Sequence, residues 1–262
     1  MMAAGNVCIV TGSATGIGAA CVVELARRGW RTVINFTKSE AEAQQRAREC
    51  EKQGGETLLV RADVSQDADC RRMAQATLEK WGRIDGLINN AGTTKVVFNH
   101  ANLEALSAED FQKIYAVNVI GAFQMIRAVE PAMRKQGAGS IVNISSRAGI
   151  DSTGTSIAYA ASKGALNTMT MGLARALGPQ IRVNAVCPGF VETRWLQEAI
   201  GDKYEQARAR WSSNSALQKP STPEDIADVA IWLLTGGPTV TGELILADGG
   251  NRLGAPPQPS RR

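Results

Sequence analysis

Tyr159 and Lys163 stand four residues apart in a segment rich in alanine (Ala158, Ala160, Ala161, Ala165). Alanine favours helix, and on a helix a spacing of four stacks two side chains on one face. A phenol ordinarily titrates near pH 10, and each tenfold change in acidity is worth about 1.4 kcal/mol, so poising it near neutrality takes roughly 4 kcal/mol. One ammonium at about 4 Å supplies on the order of 4 kcal/mol at an effective dielectric of 20, while desolvation of the phenolate acts the other way. The two residues thus have the chemistry of an acid/base pair. A surface helix also carries a tyrosine and a lysine by chance, so the surrounding segments decide what the pair means.

Thr11-Gly12-Ser13-Ala14-Thr15-Gly16-Ile17-Gly18 follows the first apolar run of the chain. Gly12 permits a tight turn, and Gly16 and Gly18 let backbone approach a pyrophosphate and pack helix on strand. The free N–H groups of a helix start suit that anion. Gly12, Ser13, Thr15, Gly16, Ile17 and Gly18 are therefore candidates for a dinucleotide cradle. A carboxylate closing the second strand would accept from the ribose 2′-hydroxyl of NAD and repel a 2′-phosphate. That position holds Phe36, then Thr37 and Lys38, with no carboxylate before Glu40. A hydroxyl and a cation suit a phosphate, which favours NADP(H) over NAD(H). Against this, Lys38 is also placed to be a solvated residue of the next helical turn, and Thr15 is not basic. Asp63, with Val64, offers a carboxylate to the adenine amino group. Asn89, Asn90, Ala91 and Gly92 close the fourth strand, where ligands bind open α/β sheets; the same residues also make ordinary turns.

The elements that must position these groups alternate along the chain. Strand-like runs cover Asn6–Thr11, Arg31–Phe36, Glu56–Arg61, Ile84–Asn89, Ser140–Ser145, Gln180–Val186 and Leu244–Ala247. Helical spacing covers Ile17–Arg28, Glu40–Lys52, Asp67–Lys80, Ala108–Lys135, Ile157–Leu177 and Pro223–Leu234, with Gly29 and Gly54-Gly55 as terminators. The third to fifth runs are nearly continuous in apolar residues, as parallel strands buried on both faces should be. Repeating βα units imply right-handed crossovers and an α/β, doubly wound, Rossmann-type parallel sheet in a single domain. Residues 254–262, with three prolines, are expected to be a disordered tail.

Composition narrows the function classes. At 262 residues the chain can bury one sizeable core. A net charge of +4 is carried by scattered basic residues, which gives no clustered footprint for nucleic acid. Five cysteines form no CxxC pair, as expected of buried thiols in a reducing compartment. The single histidine, His100, has no metal-ligand spacing around it, so no metal site is expected. No apolar run reaches about 18 residues and no leader pattern is present, which points to the cytoplasm and away from a membrane.

Taken together, residues 7–250 resemble the short-chain dehydrogenase/reductase family. Thr11–Gly18 matches its TGxxxGxG turn and Asn89–Gly92 its NNAG. Asn118 matches the asparagine of its long helix, Ser146 the serine thirteen residues before the tyrosine, and Tyr159 with Lys163 its YxxxK. Pro188-Gly189, followed by Thr193, matches its turn after the sixth strand. The resemblance implies a domain over 1–253 with about seven strands in the order 3-2-1-4-5-6-7 and a substrate lid near 190–215. It also implies hydride transfer between a nicotinamide and a carbonyl or secondary alcohol carbon. Tyr159 would then be the general acid/base, with Ser146 bonding the substrate oxygen. Lys163 would hold the tyrosine acidic and bond the nicotinamide ribose, and Asn118 would hold a water in a proton relay. Without Ser146, Tyr159 and Lys163 beside it, Asn118 reads instead as a buried asparagine satisfying backbone groups. Pro188, Gly189, Val191 and Thr193 would meet the carboxamide.

The substrate is open at this level. A small or medium carbonyl reductase ranks first and a 3-oxoacyl-(acyl-carrier-protein) reductase second. Gly178-Pro179-Gln180 lacks the basic residue that carrier-protein enzymes commonly have before the sixth strand. A non-catalytic NADP(H)-binding regulator is a distant third. Trp195, Leu196, Ile200, Tyr204 and Trp211 make the lid apolar, either toward a hydrophobic substrate or toward the core. Arg147, Ile150, Asp151, Thr153 and Thr94–Val97 are candidates to complete the pocket. The resemblance also implies a homotetramer built through the two long helices.

Overall fold

Alternate residues of each apolar run go to opposite faces of one parallel sheet. Cys8, Val10, Ile34, Ile88, Val142 and Val186 join one core; Ile9, Val33, Leu87, Ile141 and Val183 join the other. The period of two along a strand makes this partition obligatory once both faces are covered. The computed structural model describes residues 5–256. Its strands are β1 (Val7–Val10), β2 (Arg31–Phe36), β3 (Thr57–Arg61), β4 (Gly86–Asn89), β5 (Gly139–Ile144), β6 (Ile181–Pro188) and β7 (Leu244–Ala247). They lie in the order β3-β2-β1-β4-β5-β6-β7, all parallel. The doubly wound fold and the strand order match the sequence expectation.

The helices are α1 (Gly16–Arg27), α2 (Glu40–Lys52), α3 (Asp67–Trp81), α4 (Ala108–Tyr115), α5 (Ala122–Gln136), α6 (Ala148–Asp151), α7 (Ile157–Leu177), α8 (Arg194–Ile200), α9 (Tyr204–Ser213) and α10 (Pro223–Thr235). The first core packs α1, α2 and α10 on the sheet through Val22, Leu25, Ala43 and Ile231. The second packs α3, α5 and α7 through Met73, Met125, Val129 and Leu177. All five cysteines are buried and free. No helix among the described residues is long and apolar enough to cross a membrane, and none of their acidic, histidine and cysteine side chains cluster as metal ligands.

Two expectations are corrected. The helix read over 108–135 is interrupted by a π-helical segment, Ala116–Gly121, which adds a residue to the turn holding Asn118. The third strand is not buried on both faces: it is the sheet edge, and only Val60 in it is buried. A local apolar run does not say which strand ends up outermost. The tail expected over 254–262 falls mostly outside the described residues. The lid region is helical, formed by α8, a 3-10 turn Gly201–Lys203 and α9.

Candidate active site

The strand ends of β1, β2, β4, β5 and β6 open into one cleft of about 1600 Å³, roofed by α8 and α9. That is larger than the roughly 300–1000 Å³ of a usual small-ligand site and suits a dinucleotide together with a second molecule.

At its nucleotide end, Gly12 and Gly16 have φ of +60° and +58°, a left-handed backbone that glycine adopts freely. A Cβ on Gly18 would lie 2.5 Å from Asn90 Nδ2 and 2.7 Å from the Gly12 carbonyl, so only hydrogen fits there. Side chains from neighbouring strands hold the turn. Thr11 Oγ1 accepts from the N–H groups of Asn90 and Ala91 at 2.9 and 3.0 Å. Asn90 Nδ2 donates to the Thr11 and Gly12 carbonyls, both at 2.9 Å. Asn35, next to the end of the apolar β2, accepts from Gly12 N–H at 2.9 Å and donates to the carbonyls of Val60 and Ala62. A glycine cradle at a helix N-terminus, braced from three strands, fits a dinucleotide pyrophosphate.

Of the residues read as cofactor contacts, Gly12, Thr15, Gly16, Ile17, Phe36, Thr37, Lys38, Asp63, Val64, Asn90, Ala91, Gly92, Pro188, Gly189, Val191 and Thr193 line this cleft. Ser13 and Gly18 shape the turn from within. The Ser13 hydroxyl is wholly buried, donating to the Val10 carbonyl at 2.7 Å and accepting from Asn35 N–H at 2.9 Å. Asn35 itself was missed by the sequence reading, although an amide inside Val33-Ile34-Asn35-Phe36 is a signal that could have found it.

The acid/base residues meet where α7 passes the end of β5. Ser156 caps α7, accepting from Tyr159 N–H at 3.2 Å, and fixes where the helix begins. Tyr159 and Lys163 then lie on one face, with the ammonium 5.7 Å from the phenol ring centre. Lys163 is 4% exposed, and its Nζ donates to the Ile144 carbonyl at 2.8 Å. Gly149 lets α6 pack on this turn, because a Cβ there would lie 2.5 Å from the Lys163 carbonyl carbon. Ser146 lines the same cleft wall as Tyr159, and its hydroxyl oxygen accepts from Ala148 N–H at 3.1 Å. Ser145 is instead spent inside, donating to Asn167 Oδ1 at 2.6 Å. Both serines line the cleft.

The electrostatics differ from the simple pairing expected. Burial raises the Tyr159 phenol above its ordinary value, and only the Ser146 hydrogen bond opposes it. Burial also lowers the Lys163 ammonium to about 8. Desolvation is the largest cause of both shifts.

Asn118 lies behind the cleft, 1% exposed. Its Nδ2 donates to the Thr93 carbonyl and Ser162 Oγ, both at 3.0 Å, and its Oδ1 accepts from Thr93 N–H at 2.8 Å. Its side chain satisfies protein groups and ties the segment after Gly92 to α7.

The lid residues sort one by one. Tyr204 is buried against Phe190, ring centres 5.5 Å apart, and Trp211 lies 6.0 Å from the same ring. A Cβ on Gly189 would come within 2.3 Å of the Trp211 ring, so that indole lies flush on bare backbone. Trp195, Leu196 and Ile200 face the cleft, and the Trp195 ring is 6.5 Å from that of Tyr159. Arg147, Thr153, Val96 and Val97 join the wall as expected, whereas Ile150, Asp151, Thr94 and Lys95 do not. Arg147 is clamped by Asp151 and Asn251, with its guanidinium 5.1 Å from the Trp211 ring.

Residues 12–252 match the family model described as enoyl-(acyl carrier protein) reductase. A protein named as ketoacyl reductase 2 of the granaticin polyketide synthase, from Streptomyces violaceoruber, is 39% identical over 94% of this chain and 96% of its own. The crystal structure of levodione reductase superposes with a TM-score of 0.89 at 29% identity, covering 95% of this chain and 98% of that one. NAD+-bound xylitol dehydrogenase superposes at 0.85 with 27% identity over 94% and 98%. The chain belongs to the short-chain dehydrogenase/reductase family. It is an oxidoreductase acting on CH–OH or C=O groups with a nicotinamide dinucleotide.

Proposed function

We propose that this oxidoreductase is an NADP(H)-dependent carbonyl reductase in which Tyr159 is the general acid. The observation that carries the reading is the presence of Ser146, Tyr159 and Lys163 together in the wall of the cleft that the glycine turn opens. When bound there, the nicotinamide supplies the hydride. The chain's own groups manage the charge that hydride transfer leaves on the substrate oxygen. Tyr159, a phenol and so protonated at neutral pH, donates a proton to it, and Ser146 donates a hydrogen bond as negative charge develops. Lys163 stands on the same helix face, its ammonium 5.7 Å from the phenol ring centre, where its charge favours loss of the phenol proton. In alcohol oxidation the same residues work in reverse.

The preference for NADP(H) rests on Thr37 and Lys38 at the end of β2, with no carboxylate among Phe36, Thr37 and Lys38 to repel a 2′-phosphate. A tetramer through α5 and α7 is supported by Phe123, Ile157 and Met171 on those helices, all more than 40% exposed. NADPH oxidation with a panel of ketones and diketones tests the reading. Turnover abolished in Tyr159→Phe supports it, and activity with no member of the panel counts against it. The second reading, reduction of a 3-oxoacyl thioester, is supported by the likeness to the polyketide ketoacyl reductase.

A further inference from the structure

The face that α9 turns to the cleft is not the apolar one expected of the lid. Lys203, Gln206, Ala207, Arg210, Trp211 and Asn214 line it, at spacings of three, four, seven, eight and eleven residues, which is a single helical stripe. Two of these side chains are cations and none is a carboxylate. The apolar lid residues are divided otherwise: Tyr204 packs on Phe190, while Trp195, Leu196 and Ile200 come from α8 and its end.

The charges on this stripe have no counter-ions. Arg147 is balanced by Asp151 and Arg194 by Glu42 and Glu198. By contrast, neither Lys203 nor Arg210 has a carboxylate within 4.0 Å among the described residues. Lys203 instead lies against Phe98, its Nζ 4.3 Å from the centre of that ring. Across the whole cleft lining the sole carboxylate is Asp63, at the β3 end beside Lys38, where the sequence puts the adenosine. Phe98 belongs instead to the α7 end, since Val97 N–H bonds the Thr155 carbonyl at 2.8 Å just before Tyr159. The phosphates of a dinucleotide are served by the glycine turn, so these two cations remain for the other occupant. A concave wall of one sign concentrates the opposite charge.

We infer that the substrate is a carbonyl compound bearing a remote anionic group, which Lys203 and Arg210 receive at the mouth of the cleft while the apolar chain lies on Trp195 and Ile200. A carboxylate or a phosphate would satisfy this chemistry. The inference rests on the carbonyl-reductase reading for the identity of the reacting end alone.

Hexanoate, hexyl phosphate and hexanamide, titrated into the enzyme–NADPH complex and followed through the fluorescence of Trp195 and Trp211, test it without turnover. Binding of the anions about tenfold or more tighter than the amide is expected, since charge-assisted bonds are worth about twice neutral ones. That margin should shrink toward one in Lys203→Gln/Arg210→Gln and in high salt. The better of the two anions identifies the group. In the kinetic arm, an oxo acid and its methyl ester are compared, and the acid should have the higher kcat/KM in the parent protein. Equal binding of anions and amide, or a preference that survives in the double variant, overturns the inference. The two readings fail separately: an anion preference without turnover of any carbonyl removes the reductase, and turnover of neutral ketones with no acid-to-ester difference removes the anion site.

Discussion

Asn35 Oδ1 accepts the N–H of Gly12 at 2.9 Å, joining the end of β2 to the first glycine of the turn. The same side chain donates to one carbonyl within β3, that of Val60, and to that of Ala62 just beyond it. One buried amide thus fixes the height at which the turn leaves the sheet. Asn35→Ala leaves these partners without bonds, at about 1–3 kcal/mol for each buried group. The expected outcome is a lower urea midpoint and weaker NADPH binding together. Unchanged cofactor affinity in a folded variant would separate the amide from the turn.

Tyr159→Phe removes the proton donor and keeps the ring against Trp195. Turnover should fall about 10²- to 10⁴-fold, the usual worth of general acid catalysis. The dissociation constant for NADPH, read by fluorescence, should stay within about threefold. Wild-type turnover in this variant would falsify the acid role.

The buried ammonium of Lys163 makes stability depend on pH in a defined direction. Its folded value of about 8 lies below the ordinary 10.5. Between the two the unfolded chain holds the extra proton, so stability rises as pH climbs from about 8 to 10.5, and the penalty is complete below 8. Lys163→Met abolishes this contribution. The unfolding free energy of the parent protein should therefore gain on that of the variant by up to about 3 kcal/mol over this interval, in urea titrations at fixed pH. A constant difference would show that the lysine titrates alike in both states.

Lys38→Ala tests the adenosine end. Loss of one charge-assisted bond to a 2′-phosphate lowers NADPH affinity about tenfold and leaves NADH binding little changed. Equal loss for both dinucleotides would assign Lys38 to the general field of the cleft.

Gly149→Ala drives a methyl group into the α7 backbone at Lys163, a contact that no rotamer relieves. A destabilisation of about 1–3 kcal/mol is expected. Hydrogen exchange should speed up first around 159–164, before the far end of α7.

Much of this was legible in the chain itself. Ile157–Leu177 was readable to the residue because Ser156 and the alanine run give a strong start and a long periodic body. Thr222-Pro223 announces α10 through a capping box with Asp225. The order of motifs brought Ser146, Tyr159 and Lys163 to one place. Other features depend on partners remote in sequence. Val117-Asn118-Val119-Ile120 has an ordinary helical pattern, and the π turn appears only where Gly121 meets Val64, a Cβ there lying 2.8 Å from its side chain. Thr57–Arg61 reads like any parallel strand until its place at the edge is known. The burial that raises the Tyr159 phenol and lowers the Lys163 ammonium is a property of the assembled fold that their spacing does not carry.

Gly189 and Trp211 meet so closely that the loop after β6 and the second lid helix share one wall. From Trp211 the contact continues through Asn251, whose Nδ2 donates to the Trp211 carbonyl at 3.2 Å. Transplanting the lid from a relative to change specificity is therefore not a matter of exchanging the segment between α8 and α9. The donor's counterparts of Gly189, Arg147 and Asn251 must travel with it, and a chimera that omits them should lose its shape before it loses its chemistry.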